Sequence, residues 1–214
     1  MSCIEAIEKT KIVTVIRGVY GKDLENLLSV LFDGGIRAAE ITFDQSGAVK
    51  DEETAREIKA AVKQMSGKMH IGAGTVLYEN QVNLACGAGA EYIVSPDTNE
   101  KIIRLTKDKG RVSIPGALTP TEAQVAHAAG ADFVKLFPAG CMGKEYLKAV
   151  ALPLSHIKFL AVGGINAGEI KDYLACGAAG FGISSGIVDK KLIAQGDFNA
   201  VARRAREYIE EAKG

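Results

Sequence analysis

The chain has 214 residues, in which 26 basic side chains balance 26 acidic ones, a charge pattern with no footprint for nucleic acid or an anionic membrane surface. Small molecules are therefore the expected partners, and the length suits a single α/β barrel domain spanning residues 1–214. Cys3, Cys86, Cys141 and Cys176 lie far apart, as do His70, His127 and His156, so no zinc pattern is present and neither a metal nor a cofactor is expected.

The N-terminal stretch carries Glu5, Glu8, Lys9 and Lys11 and reads neither as a signal peptide nor as a membrane span, which leads to the expectation of a cytoplasmic protein with reduced thiols. From Lys11 onward, short apolar runs alternate with amphipathic helical patterns. The predicted strands are Ile12 to Ile16, Ala38 to Phe43, Met69 to Ala73, Tyr92 to Ser95, Val112 to Pro115, Phe133 to Phe137, Ile157 to Val162 and Gly180 to Ser184. The predicted helices run from Asp23 to Asp33, Glu52 to Met65, Glu79 to Cys86, Asn99 to Lys109, Thr121 to Ala128, Lys144 to Ala151, Ala167 to Cys176 and Phe198 to Ala212. Eight strand–helix pairs make the TIM (β/α)8 barrel. A doubly wound sheet is the alternative, but Gly72-Ala73-Gly74-Thr75-Val76 does not complete a dinucleotide fingerprint. Glycines in Gly34-Gly35-Ile36, Gly89-Ala90-Glu91, Gly130-Ala131-Asp132 and Gly177-Ala178-Ala179 each close a helix before a strand, where positive φ is needed.

In such a barrel the chemistry sits at the C-terminal ends of the strands. Lys135 stands inside the apolar run Ala131-Asp132-Phe133-Val134-Lys135-Leu136-Phe137-Pro138. Burial there favours the neutral amine, which attacks carbonyl carbon, so Lys135 is a candidate Schiff-base nucleophile; the structural alternative is a lysine that snorkels to water or is held by an acid. The period of two puts Ala38, Glu40, Thr42 and Asp44 on one face and Ala39, Ile41 and Phe43 on the other. Glu40 then points into the lumen as a general acid/base, or forms a purely structural ion pair with Lys135. Gly163-Gly164 with Ser184-Ser185 suits a phosphate, with two tight turns as the plain alternative. Gly74 and Thr75 offer donors to a carboxylate, and Arg17 either grips a substrate anion or forms a salt bridge at the barrel mouth.

These residues carry a resemblance to the 2-keto-3-deoxy-6-phosphogluconate (KDPG) and 4-hydroxy-2-oxoglutarate (KHG) aldolase family from about Lys11 to the C-terminus. It rests on Lys11-Ile12-Val13 through Ile16-Arg17, Gly34-Gly35-Ile36 before Glu40-Ile41-Thr42-Phe43, Gly72-Ala73-Gly74-Thr75-Val76 and Ile93-Val94-Ser95-Pro96. Further along, Ile114-Pro115-Gly116, Thr119-Pro120-Thr121-Glu122, Val134-Lys135-Leu136-Phe137-Pro138 and Gly163-Gly164-Ile165 extend it. The resemblance implies a homotrimeric, metal-independent class I aldolase of carbohydrate metabolism, acting on a 2-keto-3-deoxy sugar acid phosphate or on pyruvate plus an aldehyde. It implies that Lys135 forms the Schiff base, Glu40 shuttles the proton, Thr75 and nearby backbone hold the pyruvyl carboxylate, and Pro96 lies close to the substrate. Two positions depart from the family's pattern: Asp44 stands where some members have arginine, and Val162 where a threonine often precedes the Gly-Gly pair. Both bear on substrate preference. Competing readings are a phosphate-binding barrel isomerase or epimerase, a metal-dependent aldolase, and a non-catalytic sugar-phosphate-binding protein.

Overall fold

The computed structural model describes residues 1–213. Its strands are β1 (Ile12–Ile16), β2 (Ala38–Thr42), β3 (His70–Gly74), β4 (Tyr92–Val94), β5 (Val112–Ile114), β6 (Gly116–Ala117), β7 (Val134–Leu136), β8 (Phe159–Val162) and β9 (Ala178–Ile183). All pair in parallel, in the order β5-β4-β3-β2-β1-β9-β8-β7-β6. Between them run α2 (Gly21–Asp33), α3 (Asp51–Gln64), α4 (Glu79–Gly87), α5 (Glu100–Asp108), α6 (Pro120–Ala128), the pair α7 (Ala139–Met142) and α8 (Lys144–Ala151), α9 (Ile170–Ala175) and α10 (Lys190–Ala194). The last helix is α11 (Phe198–Ala212).

This is the expected (β/α)8 barrel, and the extra strand comes from one proline. The fifth predicted strand, Val112 to Pro115, ends one residue early at Ile114, because Pro115 has no N–H to donate to a ladder. β5 pairs with β4, while β6, a short strand beyond the predicted end, continues the same stave and pairs with β7. The Pro115 carbonyl still accepts from Lys135 N at 2.8 Å, and the Ser113 carbonyl from Asp132 N at 3.0 Å. One broken stave thus serves both neighbours and brings the two ends of the sheet together.

Side-chain alternation divides the core in two. Ala39, Ile41 and Phe43 pack outward with Leu27, Leu31 and Ile58 of the surrounding helices. Val13, Ala38, Tyr92, Val94, Leu160 and Val162 point inward and fill the lumen. Burial on both faces explains why the strands read as nearly continuous apolar runs.

A helix that the sequence reading did not anticipate closes the lumen from below. Helix α1 (Cys3–Thr10) starts at a capping box in which Ser2 Oγ accepts from Glu5 N and Glu5 Oε2 accepts from Ser2 N. Its Cys3 and Ile7 side chains enter the same inner cluster as Tyr92 and Phe133. The Ser-x-x-Glu spacing was the available signal, because it satisfies two otherwise orphan N–H groups at a helix start.

Two inward-facing glycines of β3 make room for large neighbours. A Cβ on Gly72 would lie 2.4 Å from Tyr92 Cε2, and one on Gly74 would lie 2.4 Å from Glu40 Oε1. Replacing Gly72 by alanine is therefore expected to overpack the lumen and destabilise the fold by about 1–3 kcal/mol. Urea denaturation checks this, with the midpoint falling at an unchanged slope; an unchanged midpoint would show that Tyr92 yields freely.

Candidate active site

The sixth stave, β7, carries Val134 and Leu136 into the outer core and turns Lys135 into the lumen. Lys135 is 8% exposed and Glu40 on β2 is 2% exposed, so both charges sit in the interior. No hydrogen bond or ion pair joins them among the described residues. Burial pulls the Lys135 ammonium below the usual lysine range, with Arg17 acting the same way and Glu40 opposing it. Burial likewise pushes the Glu40 carboxyl up, offset in part by Lys135 and then Arg17. Each environment favours the uncharged form. Lys135 Nζ also lies 4.8 Å from the centroid of the Phe137 ring.

Above Lys135 opens a pocket of about 500 Å³ at the C-terminal ends of the strands. Its lining includes Arg17, Thr75, Pro96, Lys135 and Val162 from the lower wall, and Gly163, Gly164, Ser184 and Ser185 from the last two loops. Below it, a separate space of about 10 Å³ lies between Glu40 and Lys135, walled by Val13, Val94 and Leu160 among others. That volume is close to what one water needs, about 10–15 Å³. Val15, Lys135 and Val162 line both spaces, so the two adjoin beside the amine.

Thr75 follows β3 directly, with φ at +56°, a left-handed conformation that a β-branched residue rarely adopts and that costs about 1–3 kcal/mol. Two side chains hold it there. Arg17 Nη2 donates to Thr75 Oγ1 at 3.0 Å, and Gln45 Nε2 donates to the Thr75 carbonyl at 3.0 Å. The first of these places a guanidinium and a hydroxyl side by side on the pocket wall, a pairing that suits a carboxylate.

The opposite end of the pocket is built from backbone. Gly163 and Gly164 have φ of +95° and +78°, which only glycine adopts without a Cβ penalty. Gly140 N donates to the Gly163 carbonyl at 2.8 Å and fixes the turn against the start of α7. The N–H groups of Gly164, Ile165, Ser185 and Gly186 donate to no backbone carbonyl outside helices and strands among the described residues. With the exposed hydroxyls of Ser184 and Ser185 they form a donor-rich concavity for an anion. Asn166 lines the same region, but its amide donates to Glu169 Oε2 at 3.0 Å as part of a cap.

Two residues expected at the site stand apart from the pocket. Gly74 serves as clearance for Glu40, and its carbonyl accepts from Phe43 N at 2.9 Å. Asp44 does not line the pocket; its carboxylate accepts from Ser46 Oγ, Ser46 N and Val49 N inside its own loop. These hydrogen bonds, led by the Ser46 side chain, hold its carboxyl below the ordinary aspartate value. Pro96 reaches the pocket because β6 begins with Gly116, where a Cβ would lie 2.3 Å from the Pro96 carbonyl oxygen. Phe137, Ile165 and Gly186 also line the pocket and were not singled out from sequence. Phe137 and Ile165 border the lysine and Gly-Gly motifs, and that adjacency was the available signal.

Comparison with known proteins bears directly on this arrangement. The family model described as "Aldolase: KDPG and KHG aldolase" matches residues 3–204. The chain belongs to the KDPG and KHG aldolase family. A probable 2-dehydro-3-deoxy-6-phosphogalactonate aldolase of Rhizobium meliloti is 35% identical over 177 residues, 82% of this chain and 81% of that protein. A 2-dehydro-3-deoxy-phosphogluconate aldolase of Haemophilus influenzae is 33% identical, covering 98% of this chain and 96% of the relative. Among solved structures, one described as native KDPGal superposes with a TM-score of 0.84 at 29% identity, covering 94% of this chain and 93% of the other. The enzyme is thus an aldolase, a lyase yielding pyruvate and an aldehyde, on a TIM-type barrel.

For this KDPG and KHG aldolase family member, the Glu40–Lys135 coupling has a measurable sign. The Glu40 carboxylate raises the lysine's pKa, so Glu40→Gln should lower it further and leave the amine unprotonated at lower pH. Competitive labelling with acetic anhydride, read by mass spectrometry of the Lys135 peptide, should show the labelling midpoint moving to lower pH. A midpoint that stays or rises would mean that the two groups do not interact.

Proposed function

We propose that Lys135 is the Schiff-base lysine and Glu40 the proton carrier for cleavage of a 6-phosphorylated 2-keto-3-deoxy sugar acid or of 4-hydroxy-2-oxoglutarate. The observation that carries this reading is the placement of an interior amine at the floor of the pocket, with an interior carboxyl just beneath it. The unprotonated Lys135 amine attacks the C2 ketone, and loss of water from the carbinolamine leaves a protonated imine. Glu40, through a water in the space it shares with Lys135, takes the proton from the C4 hydroxyl. The C3–C4 bond then breaks, its electron pair moves into the imine to give an enamine, and the aldehyde departs. Glu40 returns the proton to C3, and hydrolysis of the resulting imine releases pyruvate and restores the amine.

The environments of the two groups support this cycle. A raised carboxyl and a lowered ammonium differ less in proton affinity than the same groups in water, which makes exchange of one proton between them easier. Arg17 and Thr75 hold the carboxylate, while the N–H groups around Gly164 and Ser185 take the distal phosphate. Fixing both ends aligns the C3–C4 bond with the imine π-system. Val162 offers the substrate's own hydroxyl no hydrogen bond, so the gluco and galacto configurations are discriminated weakly at this position. The chain is expected to work as a cytoplasmic homotrimer, an expectation that rests on the family alone.

Pyruvate with borohydride should add a stable mass to Lys135. Lys135→Ala should abolish both the adduct and pyruvate release in a dehydrogenase-coupled assay with a panel of phosphorylated and unphosphorylated 4-hydroxy-2-oxo acids. Activity retained in the mutant would refute the covalent route. Light scattering should give a mass near three times the 22.6 kDa chain, and a monomer would remove the trimer from the proposal.

A further inference from the structure

Asp44 belongs to a loop that touches the carboxylate end of the pocket from outside. Asp44 lies beyond the end of β2 at Thr42, and its carboxylate gathers Ser46 Oγ at 2.7 Å, Ser46 N at 3.2 Å and Val49 N at 3.1 Å. Those contacts fold residues 44–49 into a tight loop whose exposed Gln45 points back to β3. Gln45 Nε2 reaches the Thr75 carbonyl at 3.0 Å, on the opposite side of the residue from Arg17, which holds the Thr75 hydroxyl at 3.0 Å. Thr75 between them carries the uncommon φ of +56°.

We propose that Gln45 is a positioning residue, kept in place by Asp44, that holds Thr75 in its left-handed conformation and so sets the hydroxyl and Arg17 for the substrate carboxylate. A β-branched residue persists in that region only when its surroundings over-determine it. The Arg17 bond fixes the side chain alone. The Gln45 bond is a second restraint on the peptide unit after Thr75, whose Val76 N–H donates to the Val94 carbonyl at 3.1 Å, and so on the ψ that the strained conformation requires. Without that bond the peptide keeps only the Val76–Val94 restraint and can tilt about it, carrying the hydroxyl off the line of Arg17. Gln45 does not touch the substrate itself, and the anion at Asp44 acts on the loop rather than on the ligand. This inference rests on the aldolase reading above, because the carboxylate it serves is the pyruvyl one.

The test uses exchange of pyruvate methyl protons with deuterium, followed by NMR, which needs only the carboxylate end of the site and the Schiff-base lysine. Gln45→Ala and Gln45→Glu, the second isosteric but without the donor, should each raise the pyruvate concentration for half-maximal exchange by about tenfold to a hundredfold. The limiting exchange rate should fall far less, because Lys135 and Glu40 are untouched. Thermal midpoints should stay near wild type, since both side chains of the Asp44–Gln45 pair are at the surface. Asp44→Ala supplies the sign that separates the alternatives: loosening the clasp raises the half-maximal concentration, whereas removing an anion that faced the substrate would lower it. Wild-type exchange with unchanged Gln45 variants, or a lowered value in Asp44→Ala, overturns the clasp alone. A wild-type protein that exchanges no pyruvate protons overturns the aldolase roles and the clasp together.

Discussion

An amine held inside a closed sheet is the constraint on which the rest of this barrel depends. The interior around Lys135 disfavours its charged form, and the nearest carboxyl offsets that only in part, because it stands apart rather than in contact. Direct contact would have produced a stable buried ion pair and an inert lysine. Separation by a space the size of one water leaves each group with an unsatisfied preference that a bound keto acid can use. Strand β3 contributes by omission: glycine at 74 is what allows the Glu40 carboxyl to lie over its backbone.

The two ends of the pocket present donors of different kinds. At one end a guanidinium and a hydroxyl meet on side chains, and the geometry depends on a backbone conformation that must be held from outside. At the other, consecutive glycines and the serine loop offer main-chain donors whose positions follow from the fold itself. The first arrangement suits a planar carboxylate and the second a tetrahedral, multiply charged group.

Much of this was legible in the sequence because period and punctuation agree. Parallel strands buried on both faces give continuous apolar runs, so the lone charges at Glu40 and Lys135 stood out against them. The helix-closing glycines marked the repeat. The alternation that correctly turned Glu40 inward was carried two residues too far, however: β2 ends at Thr42, and beyond a strand end parity no longer dictates direction. Asp44 therefore went to its own loop. Gln45 was invisible because its partner is a carbonyl displayed only by the left-handed turn at Thr75. The split of the fifth stave had its cause in plain view at Pro115, but only the pairing shows that the two halves serve different neighbours.

The cap formed by α1 gives the lumen a single opening. With Cys3 and Ile7 packed at the lower rim, the pocket that opens on the lysine is the one bordered by Arg17, Thr75 and the glycine turn. On the lysine chemistry proposed above, traffic through such a shaft is sequential: the three-carbon fragment stays tethered at the bottom until the aldehyde above it has cleared.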